Sequence, residues 1–411
     1  MKLKFPFTVA VVLLTVSLPT AADVIYSNSL NTTIPLDFTG VTINVGSGSI
    51  NPFFGGVGVT NNVALQPFRD GTGGSDTILN FTAGDILNGS TGTLASPGGF
   101  GGSIDHVGGT FTAGNEGYVG YKLSGANYGW MRVVFTNNTS GAVVKDWAYD
   151  DSGAAIAVGN ITTTGSVVTA DSTYGDFTVG SVLADVGGAI SFVKSGTGTV
   201  NLKVTNTYTG STTVSGGRLN VNGSTHASSN ITVDAGKTLG GDGVINGNVT
   251  LNGILRAGQG GVTDRALSIA GVLTANTGSS MVFNVAGESN HDQLIVGSVN
   301  LANTNLSIES FTDSTVTELA AGDGLNFLTS GASFYKLIDG TTTNMFANVT
   351  EVMSAGELSY FGLSGTQYRY TVGSQVFWVA QGSTYLVAIP EPSITMLGSL
   401  SLLGLALRRR R

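Results

Sequence analysis

The stretch Lys194–Ser224, KSGTGTVNLKVTNTYTGSTTVSGGRLNVNGS, decides how this chain folds. Apolar and polar residues alternate within short pieces, at Val200/Leu202/Val204 and Leu219/Val221, and glycine or asparagine stands at nearly every gap. The pattern spans Ile190 to Gln259, through Ile231/Val233 and Val249/Leu251. Alternation of period two sends one side-chain set to a core and the other to solvent. Pieces of about four to six residues cannot each build a sheet face that buries itself. Stacked as coils, they bury one continuous column of Val, Ile and Leu.

The wording of the stretch carries more than its rhythm. Gly196-x-Gly198-x-Val200-x-Leu202, then Asn206-Thr207-Tyr208-Thr209-Gly210-x-Thr212-Thr213-Val214, then Gly217-x-Leu219, resembles the autotransporter-associated β-strand repeat. The resemblance implies a parallel β-helix over 190–333, right-handed by the usual crossover preference, with glycine supplying positive φ in the turns. Asn206, Asn222, Asn246 and Asn252 are placed either as stacked amide ladders or as single solvated turn residues. Asp292-Gln293-Leu294-Ile295-Val296 and Ala321-Gly322-Asp323 resemble the closing coils of autotransporter passengers. Aromatics then gather at Tyr360, Phe361, Tyr368, Tyr370, Phe377 and Trp378. A β-rich cap over 334–388 is expected to cover the last coil's open edge.

Upstream, residues 23–162 read as another unit. Val41–Val45, Tyr118–Tyr121 and Met131–Phe135 alternate between Gly- and Asn-rich turns, the pattern of an antiparallel β-sandwich-like module. Trp130 and Trp147 are expected to anchor its core, or else to stack on sugars. Residues 163–189 alternate more weakly and are assigned to a linker or entry strands.

Both ends carry export signals. Lys2 and Lys4 precede an apolar segment from Phe5 to about Leu18, and Thr20-Ala21-Ala22 supplies small residues for cleavage. This order predicts a signal peptide over 1–22 and a mature chain that begins near Asp23. At 389–411, Pro390-Glu391-Pro392 precedes the uncharged run Ser393–Leu407 and then Arg408, Arg409, Arg410 and Arg411. Helix over that run covers about 22 Å at 1.5 Å per residue, short of a hydrocarbon core of about 30 Å. Snorkelling arginines make up part of the difference and hold the tip in the cytoplasm. The arrangement resembles the PEP-CTERM sorting tail of bacterial envelope proteins. That resemblance implies a single C-terminal transmembrane helix resting transiently in the inner membrane. It also implies Pro390, Glu391 and Pro392 as the recognition element of an exosortase-type processing enzyme. Asn51-Pro52-Phe53-Phe54-Gly55-Gly56, Gly117–Leu123, Tyr128–Val133 and Asp146–Asp150 resemble the N-terminal module common in such proteins, which transfers no activity.

Composition narrows the function. The chain has 61 glycines, no cysteine and 11% charged residues, against about 25% charged in ordinary soluble domains. Thiol catalysis and thiolate metal sites are excluded, and stability must come from burial and hydrogen-bond ladders. Formal charge is -8. Without the leader's lysines and the tail's arginines and glutamate it becomes more acidic, which disfavours nucleic acid as a partner.

His106, His226 and His291 share no spacing, and the one adjacent acidic pair, Asp150-Asp151, lies outside the coils. Asp234 and Asp242 are the only acids among the coils of 190–259; a glycosidase needs two carboxyls facing one sugar, which these two would provide only by accident of stacking. No catalytic residue, cofactor or metal is expected. The expectation is an all-β, non-enzymatic exported protein of the cell surface or extracellular matrix, structural or adhesin-like, with extracellular polysaccharide as its surroundings. The alternative is a secreted carbohydrate-active β-helix enzyme or a carbohydrate-binding module.

Overall fold

A computed structural model describes residues 23–389 apart from 57, 71–76, 103–110, 138–140, 259–265, 288–289, 312–333, 344–345, 348, 350, 353–354, 356–367, 373–374 and 380–383. The described residues form strands and turns, with a 3-10 turn at Phe54–Gly56.

From Val167 the chain alternates between two parallel sheets. One takes Val167–Asp171, Ser191–Ser195, Thr212–Val214, Ile231–Val233, Val249–Leu251, Ala266–Ala275, Gln293–Asn300 and Phe334–Thr343 in succession. The other takes Phe177–Val179, Thr199–Leu202, Arg218–Val221, Thr238–Gly241, Ile254–Ala257, Ser280–Gly287 and Asn305–Phe311. Each circuit of the early coils uses about 20 residues, since Phe192 pairs with Thr212 and Thr212 with Ile231.

Register turns the alternation into columns. Val200, Leu219, Leu239, Leu255, Met281 and Leu306 stack on one inner face, all buried. Phe192, Thr212, Ile231, Val249, Leu273 and Val299 stack on the facing one. Each large apolar side chain in such a column contributes about 1.5–3 kcal/mol of burial. This is the continuous core that isolated pieces of three or four residues cannot form.

The asparagines tie coils together in two ways. Amide-to-amide bonds join Asn220 Nδ2 to Asn201 Oδ1 at 2.7 Å and Asn276 Nδ2 to Asn252 Oδ1 at 2.8 Å. Other asparagines cap backbone of a neighbouring coil. Asn206 Oδ1 accepts from Leu183 N at 2.9 Å, and Asn246 Nδ2 donates to Thr225 O at 2.7 Å. Of the four asparagines singled out in the sequence, Asn252 alone makes an amide pair of this kind, and Asn222 Oδ1 is buried without a hydrogen-bond partner.

Residues 23–162 form antiparallel sheets. Gly141–Asp150, Tyr128–Asn137, Glu116–Leu123 and Leu65–Arg69 pair in that order. A second sheet holds Ile43–Val45, Gly48–Phe53, Gly58–Asn61 and Gly99–Gly102. Ile43, Val45, Ile50, Val59, Tyr121, Met131, Val133 and Val144 share one core between them.

Strand Asp23–Tyr26 joins the two regions. It pairs antiparallel with Gly141–Asp150 on one edge and parallel with Phe177–Val179 on the other. The module's larger sheet therefore runs directly into a sheet of the coils. At the far end, Phe334–Thr343 takes Thr384–Ile389 antiparallel, followed by Gln375–Val379 and Tyr368–Val372.

Among the described residues no helix is long and apolar enough to cross a membrane. Pro390, Glu391, Pro392, the run Ser393–Leu407 and Arg408 to Arg411 lie outside the described residues, as does the segment 1–22.

Candidate functional site

A buried polar constellation lies where module meets coils. Arg132 Nε donates to Asp146 Oδ1 at 2.9 Å and Arg132 Nη2 to Asp146 Oδ2 at 2.6 Å. Arg132 also reaches Glu116 at 3.2 Å and the Thr163 carbonyl. Asp146 Oδ2 accepts from the Tyr26 hydroxyl at 2.8 Å and from Thr163 N at 2.8 Å. Arg132 and Asp146 are both buried. Beside them Trp130 is fully buried, with Nε1 donating to Asn160 Oδ1 at 3.3 Å and its ring edge-on to Tyr118.

A β-bulge creates this site. Arg132 pairs with Asp146, but Val133 pairs with Val144, so Lys145 is an extra residue in its strand. An extra residue exchanges the two faces of a strand. Val144 therefore faces the core between the module's sheets, whereas Asp146 and Ala148 face the first coil. The Lys145 carbonyl accepts from Leu30 N at 2.8 Å.

Burial sets the electrostatics here. It draws the Arg132 guanidinium down, but Asp146 and then Glu116 more than offset this, holding it above its ordinary value. Burial lifts the Asp146 carboxyl above its usual range against the pull of Arg132. Burial, then the Asp146 charge, pushes the Tyr26 phenol well above its usual range. Such a network holds five segments in one arrangement, with Arg132 and Asp146 enclosed and Glu116 exposed at its edge.

A second buried cation lies inside the coils. Lys194 occupies an inner position between Ala170 and Val214 and is fully buried. Its Nζ donates to the carbonyls of Ser195, Gly196 and Gly216 at 2.7, 3.0 and 3.0 Å. Burial lowers its ammonium from 10.5 to about 8.

The outer face of the same sheet carries Thr169, Val193, Thr213, Thr232, Thr250, Thr274 and Asn300 in one register column. Their side chains repeat at about 4.8 Å, the strand spacing. The column is hydroxyl-rich and uncharged.

Residues 192–221 match the family model described as Passenger-associated-transport-repeat. The matched passenger-repeat segment covers strands Thr199–Leu202, Thr212–Val214 and Arg218–Val221 and most of Ser191–Ser195. The chain is also 30% identical over 124 residues to the Adhesin BmaC autotransporter of Brucella suis biovar 1 (strain 1330). That alignment takes in 26% of this chain and 4% of that adhesin.

The residues considered for chemistry around the passenger repeat do not converge. Asp234 follows a strand of one sheet and Asp242 a strand of the other. Asp150 is buried and accepts from Ser152 N, Ser152 Oγ and Ala154 N, the bonds of a turn. His226 Nδ1 accepts from Ser228 N at 3.1 Å. Trp130 has no exposed face for a sugar, and Trp147 is half-buried and stacked on Tyr149 at 5.9 Å. Among the described residues no group of His, Cys, Asp and Glu is placed to hold a metal.

Sequence reasoning passed over Arg132, Asp146, Tyr26 and Lys194. The available signal was a charge at an apolar-phase position: Arg132 within MRVVF, Asp146 within VVKDWAY and Lys194 within SFVKS.

Proposed function

We propose that this is a non-enzymatic, exported, adhesin-like protein whose coils act as a stiff stalk for the N-terminal module. The observation that carries the reading is the shared strand Asp23–Tyr26, which makes module and coils one continuous sheet. Eight successive parallel strands in the Val167–Thr343 sheet extend the stack by on the order of 30 Å at the strand spacing. The matched passenger repeat and the similarity to an autotransporter adhesin support surface display.

In this reading residues 1–22 direct export and the 389–411 tail directs sorting. The Ser393–Leu407 run holds the chain in the inner membrane, Arg408 to Arg411 set its orientation, and an exosortase-type enzyme acts at Pro390-Glu391-Pro392. The finished protein sits at the cell surface or in an extracellular polysaccharide matrix, which the uncharged hydroxyl column would face. The coils are right-handed.

Cell fractionation combined with mass spectrometry of the termini tests this. The expected product starts at Asp23, has lost the arginine tip and appears in the surface or matrix fraction. Full-length chain retained in the cytoplasm would overturn the reading. Deleting Ser393–Leu407 should divert the product to the medium with its arginine tip uncut.

A further inference from the structure

The first strand of the mature chain begins in an unbalanced charge environment. Asp23 N donates to Asp151 Oδ1 at 3.3 Å, and Asp151 N donates to Asp23 O at 3.1 Å. Asp23 Oδ2 meets Lys203 Nζ at 2.5 Å, while Asp23 Oδ1 is buried without a hydrogen-bond partner. The Asp23 side chain lies against Gly180, where a Cβ would stand 2.8 Å from it. Asp150, next to Asp151, is buried and satisfied by turn donors. The charged groups facing this corner are thus the carboxylates of Asp23, Asp150 and Asp151 and the ammonium of Lys203, with the neutral Tyr149 phenol beside Asp151. Three anions face one cation.

We infer that cleavage before Asp23 creates an α-ammonium that binds Asp151 and locks the first strand between module and coils. This rests on the export reading above. The backbone nitrogen already points at Asp151 Oδ1, so cleavage changes only its charge: an amide with one proton becomes an ammonium with three. The added cation reduces the local excess of negative charge. Burial, and then the neighbouring Asp23 charge, raise the Asp151 carboxyl, the condition that a nearby cation relieves. The strand it secures is the one shared by both regions, and it carries the buried Val24 and Tyr26. Leader removal would thereby complete the fold as well as release the chain.

The sign follows from linkage. A free α-amine titrates near 7.7–8.0, and pairing with Asp151 raises that value in the folded chain. The added stability is therefore present below about 7.7 and disappears as pH rises through the raised value. For a partly exposed pair the expected effect is about two- to fivefold in the folding equilibrium.

The test uses full-length chain exported and processed by a host. The first residue of the product is read by mass spectrometry. Acylation of the α-amine is then followed against pH for the wild-type product and for Asp151→Asn. The expected result is a titration point raised in wild type by about half a unit and returned towards 7.7–8.0 in Asp151→Asn. A second comparison places one glycine before Asp23, which moves the ammonium away while keeping Asp151. It should raise the unfolding equilibrium constant about two- to fivefold at pH 6.5 and have no effect at pH 9.5. A product starting elsewhere would sink both the inference and the leader assignment. A product starting at Asp23 with an ordinary amine titration, unchanged in Asp151→Asn, would overturn the inference alone.

Discussion

The Arg132 guanidinium grips the Asp146 carboxylate at two points, 2.9 and 2.6 Å, within a joint that water does not reach. A buried pair of this kind is costly to break from one side, because the remaining charge has no replacement solvent. Asp146→Leu should cost about 3–5 kcal/mol. The double change Arg132→Met/Asp146→Leu should cost less than either single change. Urea unfolding of the four proteins of the cycle measures this. A double variant as weak as the sum of the singles would show that the two residues act independently.

Lys194 predicts a pH dependence of unusual sign. Its folded value of about 8 lies below the ordinary 10.5, so between these values the unfolded chain binds more protons. Stability then rises with pH. Unfolding free energy should increase between pH 8 and 9.5, and Lys194→Met should flatten that slope. Denaturant titrations at three pH values check it. A wild-type slope of zero would mean that the three carbonyls fully replace water around the ammonium.

Two glycines separate strain from collision. Gly217 and Gly236 both have positive φ, 47° and 72°. A Cβ on Gly217 would come 2.1 Å from Gly198 O, whereas on Gly236 it meets nothing within 4 Å. Gly236→Ala should cost about 1–2 kcal/mol from the left-handed conformation alone. Gly217→Ala should cost clearly more, because the coil beneath must also move. Thermal melts rank the two.

Neighbouring threonines should respond oppositely to one substitution. Thr212 points into the core, where its hydroxyl meets Tyr208 OH at 2.7 Å and Ser229 Oγ at 3.0 Å. Thr213 belongs to the outer column. Thr212→Val suits the strand but strips a buried phenol of one partner, and should cost about 1–2 kcal/mol. Thr213→Val should stay within about 0.5 kcal/mol. Equal losses would contradict the facing of this strand.

The coils were legible because their physics is local. Val200/Leu202, Leu219/Val221, Ile231/Val233 and Val249/Leu251 alternate in sequence and are buried as pairs in the structure. Val204 continues the same alternation but is only half-buried, because its strand has ended at Leu202. The joint was not legible. Arg132 and Asp146 sit in a strand pair that reads as ordinary alternation, and nothing in the residues around Lys145 announces an extra position. Tyr26 and Thr163 reach the same carboxylate from 120 and 17 residues away.

By itself the sequence determined the β character, the short repeating pieces, the inner and outer phase of each and the absence of thiol chemistry. These depend on side-chain period and composition, which are properties of neighbours along the chain. Only the tertiary structure decided that the pieces form two parallel sheets sharing strand Asp23–Tyr26 with the module. It alone also decided that Asp146 faces inward to Arg132 and that Lys194 is enclosed by carbonyls. Those outcomes depend on register and on one bulge, and each is settled by burying apolar surface and pairing polar groups between residues far apart in the chain.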